Sequence, residues 1–495
     1  MGGRTMTKQA FSMGPGTYTV PMSMHRGHRH ALAEQLRSAG VPEGAVVLLQ
    51  GGQQPQEYDT DRELLFYQES FFQYLFGVKE PGFLGAVDVA TGRGTLFIPR
   101  LPESYAVWMG RIQPPGYFRE HYGVDDVRYA DEIGSVLQAM KASVLLLLGG
   151  VNTDSGATAQ AASFDGIASF KTDRKTLHPH IVECRVRKNE EELKLLAWVN
   201  AVSSAAHVEV MRRCRPGFKE YQAEALFLHE VYDKAGCRFT AYTCICGCGP
   251  HSAVLHYGHQ GAPNDGVMRD GDLFLNDSGA EYHGYSSDIT CTYPVNGRFT
   301  PEQRDVYQAV LSSNQAVQAA MKPGVPWPDM HRLSVRVITE HLRDMGLVKG
   351  SVDELLAAHV PALFMPHGLG HLLGLDVHDV GGYPEGISRI DEPGIRSLRC
   401  GRKLEAGMFI TVEPGVYFID AVLDPALADA KTRSLLVPSK LERFRGFGGV
   451  RIEDNVAVTV SGAENFTHVP REVKDIEAVM AGGAWEPRPE GALVR

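Results

Sequence analysis

The chain has 495 residues and a formal net charge of −10, and this length predicts two large units rather than a single core. The acidic balance argues against nucleic acid or an anionic membrane as a partner, because both require a basic face that displaces counterions. Solubility is the simplest explanation of the charge.

No targeting or membrane-spanning segment is recognised at the two ends of the chain. The N-terminal segment MGGRTMTKQAFSMGPGTY lacks an apolar core, and no later stretch reaches the roughly 20 apolar residues that span a bilayer. The opening resembles a myristoylation start but has Thr5 one position too early, and the C-terminal LVR matches no address signal. We therefore predict a cytosolic protein.

The eight cysteines are sparse and irregularly spaced, unlike the disulfide framework of a secreted protein. Reduced thiols are expected. The run Cys244-Ile245-Cys246-Gly247-Cys248 has single-residue spacing and no second Cys or His half, so we favour a β-type segment over a soft-metal site.

From Tyr58 to about Thr172, apolar β-type runs alternate with amphipathic segments, which predicts a mixed α/β domain. No catalytic cluster stands out there. A polar stretch follows, and 188–214 then has the apolar stripe of a long helix. These features place the first domain at residues 1–185.

The next domain, predicted for residues 186–481, mixes helices and strands. Thr300, Pro301 and Gln303 form a helix-start signal that predicts a helix over about 301–321. Further predicted helices cover about 219–235 and 328–345, and the strand-like runs are GDLFLND, GMFITVEPGVYFI and GGVRIEDNVAVTV. Residues 482–495 are rich in Gly, Pro and Glu and are predicted to be a mobile tail.

Two aspartates lie near each other in this second domain. Asp277 follows the apolar run Leu273-Phe274-Leu275, and Asp288 follows a segment that contains two glycines. Two strands joined by a tight turn would bring both carboxylates to one point. A pair of turn or capping aspartates would give the same pattern.

Three histidines follow further along. His367 and His371 stand in PHGLGH, where two glycines disfavour a regular helix and indicate a close approach of the backbone to another group. The helical H-E-x-x-H metal site would need a glutamate at position 368, where the chain has glycine. A structural role remains an alternative for His367, and His378 in DVHD adds a third imidazole.

Two glutamates interrupt apolar strand-like runs. Glu413 follows MFITV, and Glu453 follows VRI. An exposed strand face would explain either one alone. Their presence with two aspartates and His371 in one domain indicates a shared partner.

If these five side chains converge, the four carboxylates balance the charge of two divalent cations. Oxygen-rich donors favour manganese or a similar ion over zinc. Two metals roughly 3.5–4 Å apart can activate a bridging water and polarise a carbonyl. The pattern therefore predicts hydrolysis of a peptide or an ester.

The motifs D-x-G and D-x-T, H-G-x-G-H, E-P-G and R-I-E resemble those of the pita-bread metallopeptidase family, which includes methionine aminopeptidase, aminopeptidase P, creatinase and prolidase. The resemblance implies an α/β N-terminal domain, for dimerisation and lid duties, and an α+β pita-bread catalytic domain. It implies that Asp277, Asp288, His371, Glu413 and Glu453 are the metal ligands. Asp288 and Glu453 would bridge the metals, and Glu413 would also be the general base.

Longer stretches, among them AVLHYGHQGAPND and RFRGFGGVRIED, are similar to the eukaryotic cytosolic prolidases of this family over about residues 15–480. This implies a homodimer that hydrolyses Xaa-Pro dipeptides in proline metabolism. His256 and Arg399 would hold the proline carboxylate, with Tyr242 nearby, and His378 would stabilise the tetrahedral intermediate. Trp108 would close the site from the neighbouring subunit.

The departures from the family pattern are local. Ser278 and His283-Gly284 replace larger apolar or aromatic residues, and we interpret His283 as an exposed loop histidine. Two alternative functions remain: an aminopeptidase P that acts on longer peptides, and a metal-free pita-bread binding module. The module would require broken ligand positions, and all five are intact.

Overall fold

In the computed structural model, the described residues are 9–259, 261 and 263–485. The chain divides into two compact units, Met1–Val186 and Arg187–Arg495, next to the predicted boundary at 185–186. The opening MGGRTM, the C-terminal LVR and residues 486–495 of the predicted tail lie outside the described residues. Within the described part of the chain, no helix has the length and apolarity needed to cross a membrane.

A six-stranded mixed sheet forms the centre of the first unit. In spatial order its strands are Asp126–Tyr129, Gly94–Ile98, Leu84–Asp88, Ala45–Gln50, Val144–Leu146 and Thr172–Asp173. Ala45–Gln50 pairs antiparallel with Leu84–Asp88 and parallel with Val144–Leu146. This central strand precedes the range predicted to be α/β. Its continuous apolar run AVVLL suits a strand covered on both faces.

Helices and a small ribbon complete the first unit. The helices are Ser23–Ser38, Ser70–Phe76, Tyr105–Met109, Pro115–Tyr122, Ile133–Ala139 and Leu177–Val186, and the ribbon pairs Ala10–Phe11 with Val20–Pro21. Buried Leu48, Phe97, Leu137 and Leu145 belong to one apolar core.

Small antiparallel sheets make up the β structure of the second unit. Their strands, in spatial order, are Ile245–Cys248, Leu273–Asp277 and Thr290–Pro294 in one; Tyr285–Ser286, Ala280–Tyr282 and Phe239–Thr240 in another; Phe409–Val412, Asp454–Val458 and Ala463–Asn465 in a third; and Gly415–Tyr417 with Gly449–Arg451 in a fourth. The three predicted strand-like runs all contain strands. Cys244–Cys248 includes a strand, as predicted, and all eight cysteines are free thiols.

The helices of the second unit are Glu190–Arg213, Glu220–Ala235, Pro301–Ala320, Trp327–Asp344, Val352–Ala357, Asp420–Ala428, Ala430–Arg433, Pro438–Leu441 and Val473–Met480. The helix-start signal at Thr300 forms as predicted. The Thr300 hydroxyl accepts from the Gln303 backbone N–H at 3.2 Å, and the Gln303 side chain accepts from the Thr300 N–H at 3.0 Å. Local sequence thus determines where this helix begins.

Candidate metal and substrate site

The two aspartates come together because their strands pair. Leu273–Asp277 lies antiparallel to Thr290–Pro294, with Asp277 opposite Thr290. Asp288 precedes the second strand, and its backbone N–H donates to the Asn455 side-chain oxygen at 2.8 Å. Both carboxylates line the same cavity.

The connection between the aspartates is a second hairpin rather than one tight turn. Ala280–Tyr282 pairs with Tyr285–Ser286, and His283 sits at the turn with a φ of 55°. His283 is only 3% exposed, so its interpretation as an exposed loop histidine was wrong. The hairpin is packed inside the unit, which buries even its turn residue.

The glycines on either side of Leu369 explain how His371 is held. A Cβ atom on Gly370 would lie 2.1 Å from the Thr411 carbonyl oxygen, and one on Gly368 would lie 2.5 Å from the Leu398 Cα. The indole N–H of buried Trp327 donates to the Gly370 carbonyl at 3.1 Å. The close backbone approach predicted for this motif therefore exists, and it fixes His371 against the strand Phe409–Val412.

The glutamates lie at the ends of buried strands and not on an exposed face. Glu453 is 2% exposed, and its carboxylate accepts from the Thr290 hydroxyl at 2.8 Å. Glu413 follows Phe409–Val412 and accepts from the Thr411 hydroxyl at 3.2 Å. Burial excludes the interpretation that either is a solvated strand residue.

The five predicted ligands meet in the cavity. His371 Nε2 lies 3.4 Å from Asp288 Oδ2 and 3.4 Å from Glu413 Oε1. Ligand atoms of Asp288, His371 and Glu453 lie within 4.8 Å of one another. His371 Nδ1 lies 3.1 Å from the Leu372 carbonyl, and an N–H donated there leaves Nε2 to face the carboxylates as an electron-pair donor.

Asp277 is held by an arginine and a tyrosine hydroxyl. Arg451 Nη2 lies 2.5 Å from Asp277 Oδ2, and the Tyr242 hydroxyl donates to Asp277 Oδ1 at 2.6 Å. Arg451 also donates to the Tyr417 hydroxyl at 2.9 Å. The roles of Arg451 and Tyr417 were not predicted, although Arg451 belongs to the R-I-E motif.

The other three carboxylates lack an arginine partner of the kind that Asp277 has. Among the described residues, no Lys or Arg forms a salt bridge with Asp288, Glu413 or Glu453. Burial, together with the neighbouring carboxylates, raises the pKa of Glu413 to about 7 and the pKa of Glu453 well above its ordinary value. Buried carboxylates without cations are costly, so this donor set fits divalent cations.

The cavity has a volume of about 340 Å³. His256, His378 and Arg399 line it together with the five acidic and imidazole donors and Tyr242. The His378 ring packs edge-on against His371 with centroids 4.5 Å apart. The adjacent Asp379 accepts from buried Lys188 at 2.8 Å, which anchors the His378 segment.

Two histidines of this cavity, His378 and His256, are neutral at physiological pH. Burial, with the neighbouring His371 and Arg399, lowers the pKa of His378 to about 2. Burial and the neighbouring His259 likewise lower the pKa of His256. Neutral imidazoles can donate one hydrogen bond and accept another.

Trp108 lies in the first unit, on the helix Tyr105–Met109, and is 85% exposed. Its neighbours Val107 and Met109 are also exposed. Trp108 is therefore not a core residue of its own unit.

A second cluster of metal-type side chains was missed from the sequence. Glu220, Cys248 and His251 offer ligand atoms within 4.8 Å of one another. Glu220 lies at the start of the helix Glu220–Ala235, so the Cys248 segment has an acidic and an imidazole neighbour that spacing alone did not reveal.

Comparisons with known proteins agree with this geometry. Residues 194–460 match the model of metallopeptidase family M24, and residues 25–146 match the aminopeptidase P N-terminal domain. The chain is 57% identical to the human Xaa-Pro dipeptidase, over 96% of this chain and 97% of that protein. It is 35% identical to a probable Xaa-Pro aminopeptidase of Verticillium alfalfae, over 91% and 96%.

Solved structures show the same fold. The low-pH form of Escherichia coli aminopeptidase P superposes with a TM-score of 0.76 at 31% identity, covering 94% of this chain and 99% of that one. Its likeness extends over both units, which identifies the α/β domain and the pita-bread domain predicted from the sequence. The chain belongs to metallopeptidase family M24.

Proposed function

We propose that this chain is an Xaa-Pro dipeptidase that uses two divalent cations, of which manganese suits the oxygen-rich donors best. The observation that carries the proposal is one cavity lined by the five donors, by Arg399 and by the neutral His378, in which Asp288, Glu413 and Glu453 have no Lys or Arg partner among the described residues. The 57% identity to the human Xaa-Pro dipeptidase supports the same activity.

The metal-binding residues would be those predicted from the sequence: Asp277, Asp288, His371, Glu413 and Glu453. When bound, such ions lower the pKa of a coordinated water towards neutrality and polarise the scissile carbonyl. Metal analysis of protein purified without chelators, followed by reactivation with individual metals, tests both their number and the preference for manganese.

Two residues of the chain would handle protons and developing charge. Glu413 would accept a proton from the attacking water and pass it to the leaving nitrogen. His378 would donate a hydrogen bond to the tetrahedral oxyanion, because its imidazole is neutral and keeps one N–H.

The remaining residues would select proline at the C-terminal end. The imide bond to proline lacks an N–H, and the free carboxylate of a dipeptide offers a charged group for recognition instead. Arg399 offers a planar fork that matches a carboxylate, with His256 beside it in the cavity. This pair would limit the enzyme to dipeptides.

The test is Arg399→Ala, with Arg396→Ala as its control. Arg396 lies three residues away, is exposed and faces Asp391 at 3.6 Å. Removing the partner of a buried carboxylate costs about 3–5 kcal/mol, or roughly a hundredfold or more in kcat/KM. Arg399→Ala should lose that factor on Gly-Pro but much less on Gly-Pro-NH2. Equal losses on both substrates would contradict the assignment.

The main alternative is an aminopeptidase P, which the structural likeness to that enzyme favours. Comparing kcat/KM for Ala-Pro and Ala-Pro-Phe separates the two functions. A dipeptidase should strongly prefer Ala-Pro, because the third residue removes the carboxylate from Arg399. Equal or faster cleavage of the tripeptide would identify the aminopeptidase.

The proposal includes a homodimer in which Trp108 reaches the partner's active site. The support is that Trp108 is exposed within an apolar helix, where a single subunit leaves it in water. Trp108→Ala should lower activity with the metal content unchanged, whereas Tyr58→Ala, at another exposed aromatic residue, should not. A fully active monomer by sedimentation would contradict it.

A cytosolic location belongs to the same proposal. Its support is that the eight cysteines form no disulfide, as expected in a reducing compartment. Fractionation of the source cells with a specific antibody would test it, and recovery in the secreted fraction would contradict it.

A further inference from the structure

The backbone next to Arg399 is held by two side chains. The Leu398 carbonyl accepts from the Tyr383 hydroxyl at 2.6 Å and from Arg389 Nη1 at 2.7 Å. A carbonyl oxygen has two lone pairs, so it can accept both bonds at once. This carbonyl belongs to the same planar peptide group as the Arg399 nitrogen. Holding it therefore fixes the direction in which the main chain enters Arg399.

The two donors also contact each other. The Arg389 guanidinium lies over the Tyr383 ring, with its Cζ 4.5 Å from the ring centroid. Because arginine stacks on aromatic faces and donates within its own plane, this contact orients the Arg389 N–H. Leu398 is 1% exposed, whereas Tyr383 is half-buried and Arg389 is exposed. The donor pair therefore supports a buried segment from the surface of the unit.

The segment that contains Tyr383 is itself fixed by hydrogen bonds. Its Gly382 carbonyl accepts from the Gly401 N–H at 2.9 Å, and its Gly381 carbonyl accepts from Arg402 Nη1 at 3.1 Å. Three successive residues of this segment thus bind the chain on either side of the proposed carboxylate-binding arginine. The support cannot shift relative to that arginine without breaking hydrogen bonds.

The support and the arginine differ in their access to the main cavity. Ser397 and Arg399 line this cavity, but its described lining includes neither Leu398 nor the two donors, Tyr383 and Arg389. Tyr383 and Arg389 are therefore placed to affect a ligand of the cavity through Arg399 rather than by touching it.

We propose that Tyr383 and Arg389 are positioning residues for Arg399. By holding the Leu398 carbonyl, they keep the Arg399 guanidinium in the orientation that binds the free carboxylate of the substrate, and they thereby set the preference for dipeptides. A bidentate contact between guanidinium and carboxylate requires the two planar groups to be aligned, so a fixed main chain at Arg399 strengthens it. This inference rests on the proposed function, in which Arg399 recognises that carboxylate.

The test compares Gly-Pro with Gly-Pro-NH2 as substrates of the metal-loaded full-length protein, with the changes Tyr383→Phe and Arg389→Met. Each change removes one hydrogen bond to Leu398, and KM for Gly-Pro should rise roughly two- to tenfold. The rate constant kcat should change little, because the carboxylate contact is the same in the ground state and the transition state. Gly-Pro-NH2 has no carboxylate, so its kcat/KM should change by less than about twofold.

Two control variants match these changes. Tyr307→Phe removes another tyrosine hydroxyl that donates to a backbone carbonyl, that of Arg471 at 2.8 Å. Arg396→Met removes another exposed arginine that lies close to Arg399 in the chain. Both controls should leave KM for Gly-Pro unchanged. Unfolding midpoints of all four variants establish that each is folded under the assay conditions.

A double-mutant cycle separates positioning from a general effect on the fold. If Tyr383 acts through Arg399, adding Tyr383→Phe to Arg399→Ala should lower kcat/KM for Gly-Pro by less than about twofold more. A merely structural role would instead multiply the two losses, and it would lower the hydrolysis of acid and amide substrates equally. Competitive inhibition by L-proline gives a second measure, since its Ki should rise in Tyr383→Phe by the same factor as KM.

The proposal is overturned if Tyr383→Phe and Arg389→Met both keep the parent's KM for Gly-Pro, or if they lose equally on the acid and the amide. The proposed function survives those outcomes when Arg399→Ala shows its carboxylate-specific loss. Equal losses in Arg399→Ala itself, or no Gly-Pro hydrolysis by the parent, would overturn the proposed function and this proposal with it. The two failures are therefore distinguishable.

Discussion

Two buried glutamates in the second unit, Glu220 and Glu453, differ in what surrounds them. Burial raises the pKa of Glu220, but hydrogen bonds from Tyr257, Cys248 and His251 outweigh burial and lower it below 4.5. Glu453 is equally buried, and there burial and the charges of neighbouring carboxylates raise the pKa well above its usual value.

The two glutamates differ in the hydrogen-bond donors that surround their carboxylates. Glu220 accepts from the Cys248 N–H at 2.8 Å, the Gly266 N–H at 2.7 Å, the Tyr257 hydroxyl at 2.7 Å and His251 Nδ1 at 2.9 Å. Its lone pairs are in use, so it serves as a structural anion although Cys248 and His251 adjoin it. The Glu453 group keeps lone pairs that face other carboxylates, which is an arrangement that cations stabilise. Proximity of ligand-type atoms therefore does not by itself indicate a metal site.

The largest expected effect is that of Glu453→Gln. Loss of this carboxylate should remove bound metal and abolish Gly-Pro turnover together, and Asp288→Asn should do the same. In excess EDTA the Glu453→Gln protein should be no less stable than the parent, since a repelling charge is gone. Elemental analysis, turnover and the unfolding midpoint measure these outcomes.

The control for Glu453→Gln is Glu464→Gln. Glu464 is a half-buried glutamate on a strand of the neighbouring sheet. It should keep both metal and rate. A Glu453→Gln enzyme with full metal content and a near-normal rate would show that the carboxylate group is not the metal site.

Glu220→Gln should have the opposite profile. Metal content should remain, but the free energy of unfolding should fall by about 3 kcal/mol. Hydrogen bonds to a charged acceptor are lost, and the amide NH2 of the new glutamine faces hydrogen-bond donors. Chemical unfolding of the metal-loaded protein measures this loss. Loss of metal at unchanged stability would reverse the roles assigned to the two groups.

Tyr257→Phe removes a single donor to Glu220 and should cost about 1.5 kcal/mol. The matched control is Tyr307→Phe. The Tyr307 hydroxyl donates to the backbone carbonyl of Arg471, a neutral acceptor, at 2.8 Å, and its loss should cost about 1 kcal/mol. Unfolding midpoints of both variants under the same conditions test the contrast. A larger loss at Tyr307 would mean that the Glu220 charge contributes little.

The smallest effect concerns acid stability. The folded-state pKa of Glu220 lies below 4.5, so its contribution is fully present above pH 4.5 and is lost as the pH falls through the folded value. The stability of the parent protein should therefore fall more steeply below pH 4.5 than that of Glu220→Gln. Parallel pH profiles would show that Glu220 is not the anion described above.

Local structure was largely predictable from the sequence. The helix at Thr300, the strands beside Asp277 and Glu413, and the glycine-dependent approach at His371 follow from patterns a few residues long. His283 shows the limit of such patterns. A histidine beside glycine predicts an exposed turn, and only packing of the whole hairpin buries it.

The residue types at the site could be read from the chain alone: four carboxylates and an imidazole on strands and a glycine-rich segment, in the motifs of one family. Folding sets which of these acids acquire a charged or hydroxyl partner. Arg451 reaches Asp277 across 174 residues of chain, and Tyr257 reaches Glu220 across 37. The pKa of a buried acid depends on donors and charges within a few ångströms, and the chain brings those groups together only by folding.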